Sequence, residues 1–271
     1  MSGAIEERLA RPSVMGVVNV TPDSFSDGGV NFRAEDAVAS ARRMVEEGAA
    51  IVDVGGESTR PGSESVSAEE ELRRVGPVLE QLEGVPVSID TAKAEVARRA
   101  IELGAELVND VTALRGDPEL AEVVASSGAF LCLMHMQGEP RTMQDRPTYA
   151  DVASEVASFL EQRLAFAVGA GIPEERICLD PGFGFGKTVE QNFELLGRLD
   201  RVVALGRPVL VGLSRKRSLG RILGDPDATT GPLSASLAAA VEAYERGAAI
   251  FRVHDVREHV EALTVAAAVP R

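Results

Sequence analysis

The chain has 271 residues, of which 45% are hydrophobic and 26% are charged, and its formal net charge at pH 7 is −14. This composition is ordinary for a globular protein and excludes a disordered or collagen-like chain. Nucleic acids require a basic surface, so the negative charge argues against a nucleic-acid-binding protein. An anionic substrate would have to be held by a few placed cations or by a metal ion.

Residues 1–12 contain no apolar stretch and lack the pattern of a signal peptide, so we interpret 1–13 as an N-terminal extension. No apolar run is long enough to cross a membrane. Cys132 and Cys178 both lie in apolar runs, which predicts buried thiols in a reducing compartment. Together these features predict a cytoplasmic protein.

Eight short apolar runs follow one another along the chain, each with the length of a buried strand. They are Val14–Val20, Ile51–Val54, Val85–Ile89, Leu107–Val108, Phe130–Met134, Ile177–Leu179, Val209–Val211 and Ile250–Val253. The stretches between them have the spacing of amphipathic helices, as in Ala37, Ala41 and Met44. Several of these stretches end in a glycine that suits the left-handed position after a helix: Gly48, Gly104, Gly128, Gly171 and Gly247.

Short apolar strands that alternate with helices predict parallel βαβ units. Eight such units, with no Ser/Gly/Pro-rich linker between them, predict an α/β fold of the (β/α)8 TIM-barrel type, with one domain over residues 1–271. In a barrel of this type the active site is built at the C-terminal ends of the strands.

Polar or ionisable residues lie at the C-terminal ends of all eight apolar runs. They are Asn19; Glu57, Ser58, Thr59 and Arg60; Asp90; Asn109 and Asp110; His135; Asp180; Ser214, Arg215 and Lys216; and Arg252 with His254. One Asp or Asn at such a position is as easily a helix cap, so only the set as a whole indicates a site. Carboxylates and an amide beside one lysine suit a flat, nitrogen-rich heterocycle. Arg252 and His254, two residues apart on a strand, point the same way and with Asn19 resemble an anion clamp.

Three other interpretations concern single motifs. The segment Pro181–Thr188 resembles a phosphate-binding loop, but that motif needs four residues before its Gly-Lys pair and this segment has three, so we reject nucleotide binding. His135 is interpreted as a histidine at the edge of the core, and His259, in the last helix, as a surface residue. Neither belongs to a cluster with the spacing of a zinc site.

Eight segments together resemble the motifs of the dihydropteroate synthase family, a family of pterin-binding barrels. They are VVNVTPDSFSDGG (Val17–Gly29), DVGGESTRPG (Asp53–Gly62), SIDT (Ser88–Thr91), NDV (Asn109–Val111), LMHMQGEPRTM (Leu133–Met143), LDPGFGFGKT (Leu179–Thr188), GLSRKR (Gly212–Arg217) and RVHDV (Arg252–Val256). They occur in the order of the family and span almost the whole chain.

The resemblance implies a transferase of folate biosynthesis. Such an enzyme condenses 6-hydroxymethyl-7,8-dihydropterin diphosphate with p-aminobenzoate, releases pyrophosphate and uses Mg2+. The resemblance also implies a sulfonamide target and a homodimer that pairs through the last repeats, where the helix Ser234–Ala243 is rich in small residues. Two loops, Thr21–Gly29 (loop 1) and Glu57–Gly62 (loop 2), would close over the substrates.

The resemblance also implies a role for each site residue. The pterin ring would be held by Asp90, Asn109, Asp180 and Lys216. The diphosphate would be held by Asn19, Arg252 and His254, with Asn19 also a ligand of Mg2+, and Thr59 would contact the same substrate from loop 2. The p-aminobenzoate site would be shaped by Arg60, Pro61, Phe185, Lys216 and the residue that follows it. Catalysis would rest on Asp90, Asp180 and Lys216.

One position departs from the family pattern. Many members have Ser after the loop lysine, whereas this chain has Arg217 followed by Ser218. The carboxylate of p-aminobenzoate would be bound either by the Arg217 side chain or by its backbone N–H while Ser218 caps a short helix, and we favour the second arrangement. Two other functions remain as alternatives: a methyltetrahydrofolate-dependent methyltransferase, and a paralogue that binds pterins without turnover.

Overall fold

A computed structural model of the chain describes residues 3–21, 34–58, 63–138, 142–143 and 147–270. Loop 1 lies outside these ranges except for Thr21. Three residues of loop 2 that were predicted to bind substrate, Thr59, Arg60 and Pro61, also lie outside the described residues.

Eight parallel strands form one sheet, and each predicted apolar run supplies one of them. They are β1 (Ser13–Asn19), β2 (Ile51–Gly55), β3 (Val87–Asp90), β4 (Leu107–Asp110), β5 (Phe130–Met134), β6 (Ile177–Asp180), β7 (Leu210–Val211) and β8 (Ile250–Val253). The strand order is β6-β5-β4-β3-β2-β1-β8-β7. A parallel bridge between Leu179 and Val209 joins the two outer strands, so the sheet closes on itself and the predicted (β/α)8 barrel is confirmed.

Helices surround the strands and alternate with them. They are α1 (Ile5–Arg8), α2 (Ala34–Glu46), α3 (Ala68–Leu79), α4 (Ala94–Glu102), α5 (Leu120–Ser127), α6 (Val152–Gly169), α7 (Val189–Gly197), α8 (Asp200–Val203), α9 (Arg217–Ile222), α10 (Leu233–Glu245) and α11 (Val256–Ala268). The five glycines predicted to end helices all have positive φ, between 68° and 104°. Their left-handed conformation is confirmed.

The N-terminal end of the barrel is filled by apolar side chains. The segment predicted as an extension supplies α1, and Ile5 of this helix and Leu9 just after it are fully buried in a cluster with residues near the start of several strands. Cys132 and Cys178 belong to this cluster as free, buried thiols, as predicted. We call this group the lower cluster; its members are Ile5, Leu9, Met15, Ile51, Leu107, Phe130, Cys132, Cys178, Leu210, Ala249 and Ile250.

The prediction for His259 was wrong. This residue of α11 is fully buried rather than at the surface, and its Nδ1 lies 2.6 Å from the carbonyl oxygen of Asp255, one helical turn earlier. The face of α11 that packs against the barrel therefore includes a neutral histidine, whose pKa burial lowers. Among the described residues, no helix combines the length and the apolar character needed to span a bilayer.

Candidate active site

The carboxyl ends of β3, β4 and β6 place three predicted site residues at one rim of the barrel. Asp90, Asn109 and Asp180 are all buried, and Asp90 pairs directly with Asn109 in the register between β3 and β4. Because parallel strands end at the same edge of a sheet, a group at one strand end is a neighbour of the next. The structure thus brings these predicted residues together.

A residue to which the sequence analysis gave no role, Asp53, organises this rim from inside the barrel. Its carboxylate accepts hydrogen bonds from Ser88 Oγ at 2.6 Å, Asn109 Nδ2 at 3.0 Å and Arg252 Nε at 2.6 Å. The sequence did contain a signal for this role, because Asp53 is a charged residue within the apolar run of β2. Such a residue is retained in a core only when partners satisfy its charge.

The amide of Asn109 is oriented by this contact. Its nitrogen donates to Asp53, whereas its buried Oδ1 has no hydrogen-bond partner within the described part of the chain. A buried acceptor that lacks a partner costs roughly 1–3 kcal/mol. Asn109 Oδ1 is therefore available to an N–H group of a ligand at the rim.

Arg252 lies between two carboxylates and is not a free anion clamp. In addition to its bond to Asp53, its Nη2 donates to Asp90 Oδ2 at 2.8 Å. Burial raises the pKa of Asp90 to about 7, although the charge of Arg252 opposes that shift. Arg252 thus neutralises negative charge within the protein and keeps only part of its donor capacity for a ligand.

Asp180, Lys216 and Phe185 form the opposite side of the rim. Asp180 Oδ1 accepts a hydrogen bond from the backbone N–H of Gly182 at 2.7 Å, and burial raises its pKa to about 6. Burial, with the nearby charge of Arg252, lowers the pKa of Lys216 to about 8. The Lys216 ammonium lies 4.4 Å from the centroid of the Phe185 ring, within the range of a cation–π contact.

His254 is held in its neutral form. Burial, followed by the charge of Arg252, lowers its pKa to about 3. Its Nδ1 lies 3.2 Å from Ser214 Oγ, and that same oxygen accepts a bond from the His254 backbone N–H at 3.2 Å. At neutral pH, His254 can therefore offer a ligand a hydrogen bond but no charge.

Asn19 ends β1, which is the strand beside β8 in the sheet. Its amide oxygen is a hard donor of the kind that Mg2+ accepts. The described residues contain no cluster of three or more His, Cys, Asp or Glu that would form a complete metal cage. Mg2+ usually keeps several waters and takes its remaining ligands from substrate phosphates, so a single protein oxygen beside a diphosphate fits this ion.

The expectation for Ser218 was wrong. Helix α9 begins at Arg217, and its N-cap is Lys216, whose side chain makes no capping hydrogen bond. Ser218 instead lies within the first turn of this helix and is buried. Arg217 is half-buried, and burial lowers its pKa. The structure thus leaves both the side chain and the backbone N–H of Arg217 as candidate carboxylate ligands.

Comparisons with known proteins agree with this geometry. The model of the pterin binding enzyme family matches residues 15–254. The chain is 49% identical to the dihydropteroate synthase of Escherichia coli (strain K12) over 263 residues, which cover 95% of this chain and 91% of that protein.

Two solved structures from Xanthomonas albilineans are similar along nearly their whole length. Dihydropteroate synthase with 4-aminobenzoic acid is 50% identical, with a TM-score of 0.88 and coverage of 97% of this chain and 95% of that one. The same enzyme in complex with 7,8-dihydropteroate is 48% identical, with a TM-score of 0.84 and coverage of 97% and 96%. The chain therefore belongs to the dihydropteroate synthase family of pterin-binding enzymes.

Proposed function

We propose that this chain condenses 6-hydroxymethyl-7,8-dihydropterin diphosphate with p-aminobenzoate to give 7,8-dihydropteroate and pyrophosphate. The observation that carries the proposal is the buried Oδ1 of Asn109, which has no hydrogen-bond partner among the described residues, at the rim that also bears the buried carboxylates of Asp90 and Asp180. A pterin ring presents N–H donors along one edge, and these three side chains supply acceptors for them. The two structures of the Xanthomonas albilineans enzyme, one with 4-aminobenzoic acid and one with 7,8-dihydropteroate, support the same chemistry.

The diphosphate would lie at the ends of β1 and β8. Arg252 has donor capacity beyond its bonds to Asp53 and Asp90, His254 offers a neutral N–H, and Asn19 offers an oxygen to a divalent ion. The proposed ion is Mg2+, which when bound would neutralise charge on the departing diphosphate. A leaving group of this kind is stabilised most by donors already placed where its charge develops.

Cleavage of the C–O bond would leave a positive charge at the exocyclic methylene of the pterin. The carboxylates of Asp90 and Asp180 would stabilise this charge electrostatically, since both lie in a buried site of low dielectric. The lone pair of the neutral aromatic amine would then form the new C–N bond to the methylene, and the proton lost from the resulting ammonium would pass to the released pyrophosphate or to solvent. No covalent intermediate with the protein is required.

The p-aminobenzoate site would be formed by Phe185 and Lys216, together with Arg60 and Pro61 of loop 2. The Phe185 ring gives an apolar platform for the aromatic amine, and its contact with Lys216 connects this site to the pterin site. The substrate carboxylate would be bound at Arg217, by its side chain or its backbone N–H. Sulfonamides share the shape of p-aminobenzoate and would compete for this site.

The proposed assembly is a homodimer in the cytoplasm. Helix α10 supports it with a run of small residues that would allow close packing, although its alanines also contact the barrel. Sedimentation that showed only monomer would contradict this part of the proposal.

The test is pyrophosphate release from the pterin diphosphate with Mg2+, measured with and without p-aminobenzoate. We expect release that depends on p-aminobenzoate and yields dihydropteroate. Pterin binding without release would instead indicate a paralogue without turnover. Methyl transfer from methyltetrahydrofolate would indicate the alternative enzyme, for which the cluster of Asn19, Arg252 and His254 would have no purpose.

A further inference from the structure

The lysine of the segment rejected as a nucleotide loop is one of the most buried charged residues of the described chain. Lys187 is only 2% exposed. Its ammonium nitrogen lies 3.0 Å from His135 Nδ1, 2.9 Å from the carbonyl oxygen of Gly182 and 3.1 Å from that of Phe185. None of the functions proposed above uses this group.

The three contacts suit the protonated form of Lys187. An ammonium has three hydrogens, one for each of these acceptors, whereas a neutral amine would turn its lone pair towards one of them. The nearby carboxylate of Asp180 also favours the charge, although burial lowers the pKa of Lys187 to about 7. Burial and the charges of Lys187 and Arg115 lower the pKa of His135 far below its usual value, so the ring is neutral, and beside an ammonium its Nδ1 is the acceptor.

Lys187 joins two loops of the rim, His135–Gly138 (loop 5) and Pro181–Thr188 (loop 6). The backbones of the two loops are in close contact at Gly182, where a Cβ atom would overlap the carbonyl oxygen of His135. Loop 6 has a turn in which Phe185 N donates to Gly182 O at 3.1 Å. Both carbonyls bound by Lys187 belong to this turn, which carries the Phe185 ring.

The backbone of Asp180, by contrast, is fixed by the sheet, although its carboxylate interacts with the charge of Lys187. It is the last residue of β6 and pairs with Met134 in the register with β5, and its carbonyl oxygen accepts a hydrogen bond from His135 N at 2.9 Å. Loss of the Lys187 ammonium would therefore displace the turn that carries Phe185 more than it displaces Asp180.

We propose that Lys187 is a positioning residue for the second substrate: by joining loops 5 and 6 it holds Phe185 where the aromatic amine binds. This inference rests on the proposed function, because Phe185 has a substrate to position only if p-aminobenzoate is one. Lys187 itself touches no reacting atom.

The test is the variant Lys187→Met, which keeps the length of the side chain and removes the ammonium. We expect the KM for p-aminobenzoate to rise about tenfold or more, since small displacements of positioning groups have effects of this size. The KM for the pterin diphosphate should change less than about threefold, because Asp180 stays in the strand ladder. The matched control is Leu9→Ala in the lower cluster, which should lower the melting temperature and leave both KM values unchanged.

A second variant, His135→Leu, removes one of the three acceptors and leaves the backbone contacts. It should also raise the KM for p-aminobenzoate, by a smaller factor than Lys187→Met does. In the double variant, Lys187→Met should raise this KM by a smaller factor than it does in the wild type, since the two residues share one contact. If Lys187→Met does not fold, His135→Leu carries the test alone.

An unchanged KM for p-aminobenzoate in the variants, or an equal rise in both KM values, would overturn the inference. A failure of the proposed function would look different. In that case the wild-type protein itself would form no dihydropteroate from the two substrates.

Discussion

The two ends of the barrel use the same strands for opposite purposes. Four strands place an apolar residue of the lower cluster and, two positions later on the same face, a polar residue of the rim. The pairs are Ile51 and Asp53 in β2, Leu107 and Asn109 in β4, Cys178 and Asp180 in β6, and Ile250 and Arg252 in β8. One step of about 7 Å along each strand thus separates a packed core from a charged site.

This difference shows where stability and function are located. Each fully buried aliphatic side chain of the lower cluster stabilises the fold by about 1.5–3 kcal/mol. At the rim, burial destabilises the charged forms of the side chains instead. It raises the pKa of Asp90 and Asp180 and lowers that of Lys216 and His254. Groups that are costly to bury in their charged form persist at a site that needs their charge.

The largest expected effect is on catalysis, from Asp180→Asn. The amide oxygen of Asn can still accept from Gly182 N–H, but the variant has no charge to stabilise a pterin cation. We expect turnover to fall about 100- to 1000-fold, as for other losses of electrostatic stabilisation, while the melting temperature stays the same or rises. Steady-state pyrophosphate release and thermal unfolding measure the two effects. Full turnover in this variant would count against the proposed mechanism.

The next effect is on stability, from Arg252→Met. Removal of this guanidinium leaves Asp53 and Asp90 without their counter-charge, and the free energy of unfolding should fall by about 3–5 kcal/mol. Denaturant unfolding measures the loss. The double variant Arg252→Met/Asp53→Asn should recover part of it, because one of the unpaired charges is gone. If the double variant is less stable by the sum of the single effects, the ion pair is not the cause.

At the opposite end, Leu9→Ala should lower the free energy of unfolding by about 2–5 kcal/mol through the cavity that it creates. Its kcat and both KM values should equal those of the wild type at temperatures where the variant is folded, because the lower cluster lies at the other end of the barrel from the rim. The same preparation serves for unfolding and kinetics. A kinetic defect here would show that the two ends are coupled.

The last expected effect is the dependence of stability on pH. Burial raises the pKa of Asp90 to about 7 and of Asp180 to about 6, from 3.8 in the unfolded chain. The folded protein therefore binds more protons over this range, and the stability that these two groups contribute is complete below pH ~4 and is lost as the pH rises through ~6 to 7. Activity should rise over the same range as the carboxylates ionise.

Thermal unfolding between about pH 5 and pH 8 checks the predicted loss of stability with rising pH. Relative to Asp180→Asn, the wild type should lose melting temperature as the pH rises. A difference that did not change with pH would show that Asp180 titrates at its ordinary value.

The sequence alone determined the architecture, because strands, helices and their glycine ends are specified by local periodicity and by the conformational freedom of glycine at positions such as Gly48 and Gly104. It also predicted several residues of the rim, such as Asp90, Asn109 and Asp180, since a barrel places every strand end at one edge, but it gave Asp53 no role. The eight motifs, in their order along the chain, indicated the family.

Only the tertiary structure decided how these side chains are paired. Arg252 and Asp53 are 199 residues apart, and no local pattern shows that the arginine is already bound to carboxylates. The burial of His259, the position of Ser218 inside α9 and the three contacts of Lys187 were likewise missed, because each depends on which segments the closed barrel brings together. Hydrogen bonds and desolvation act between neighbours in space, and it is these interactions that set the charge of each group at the rim.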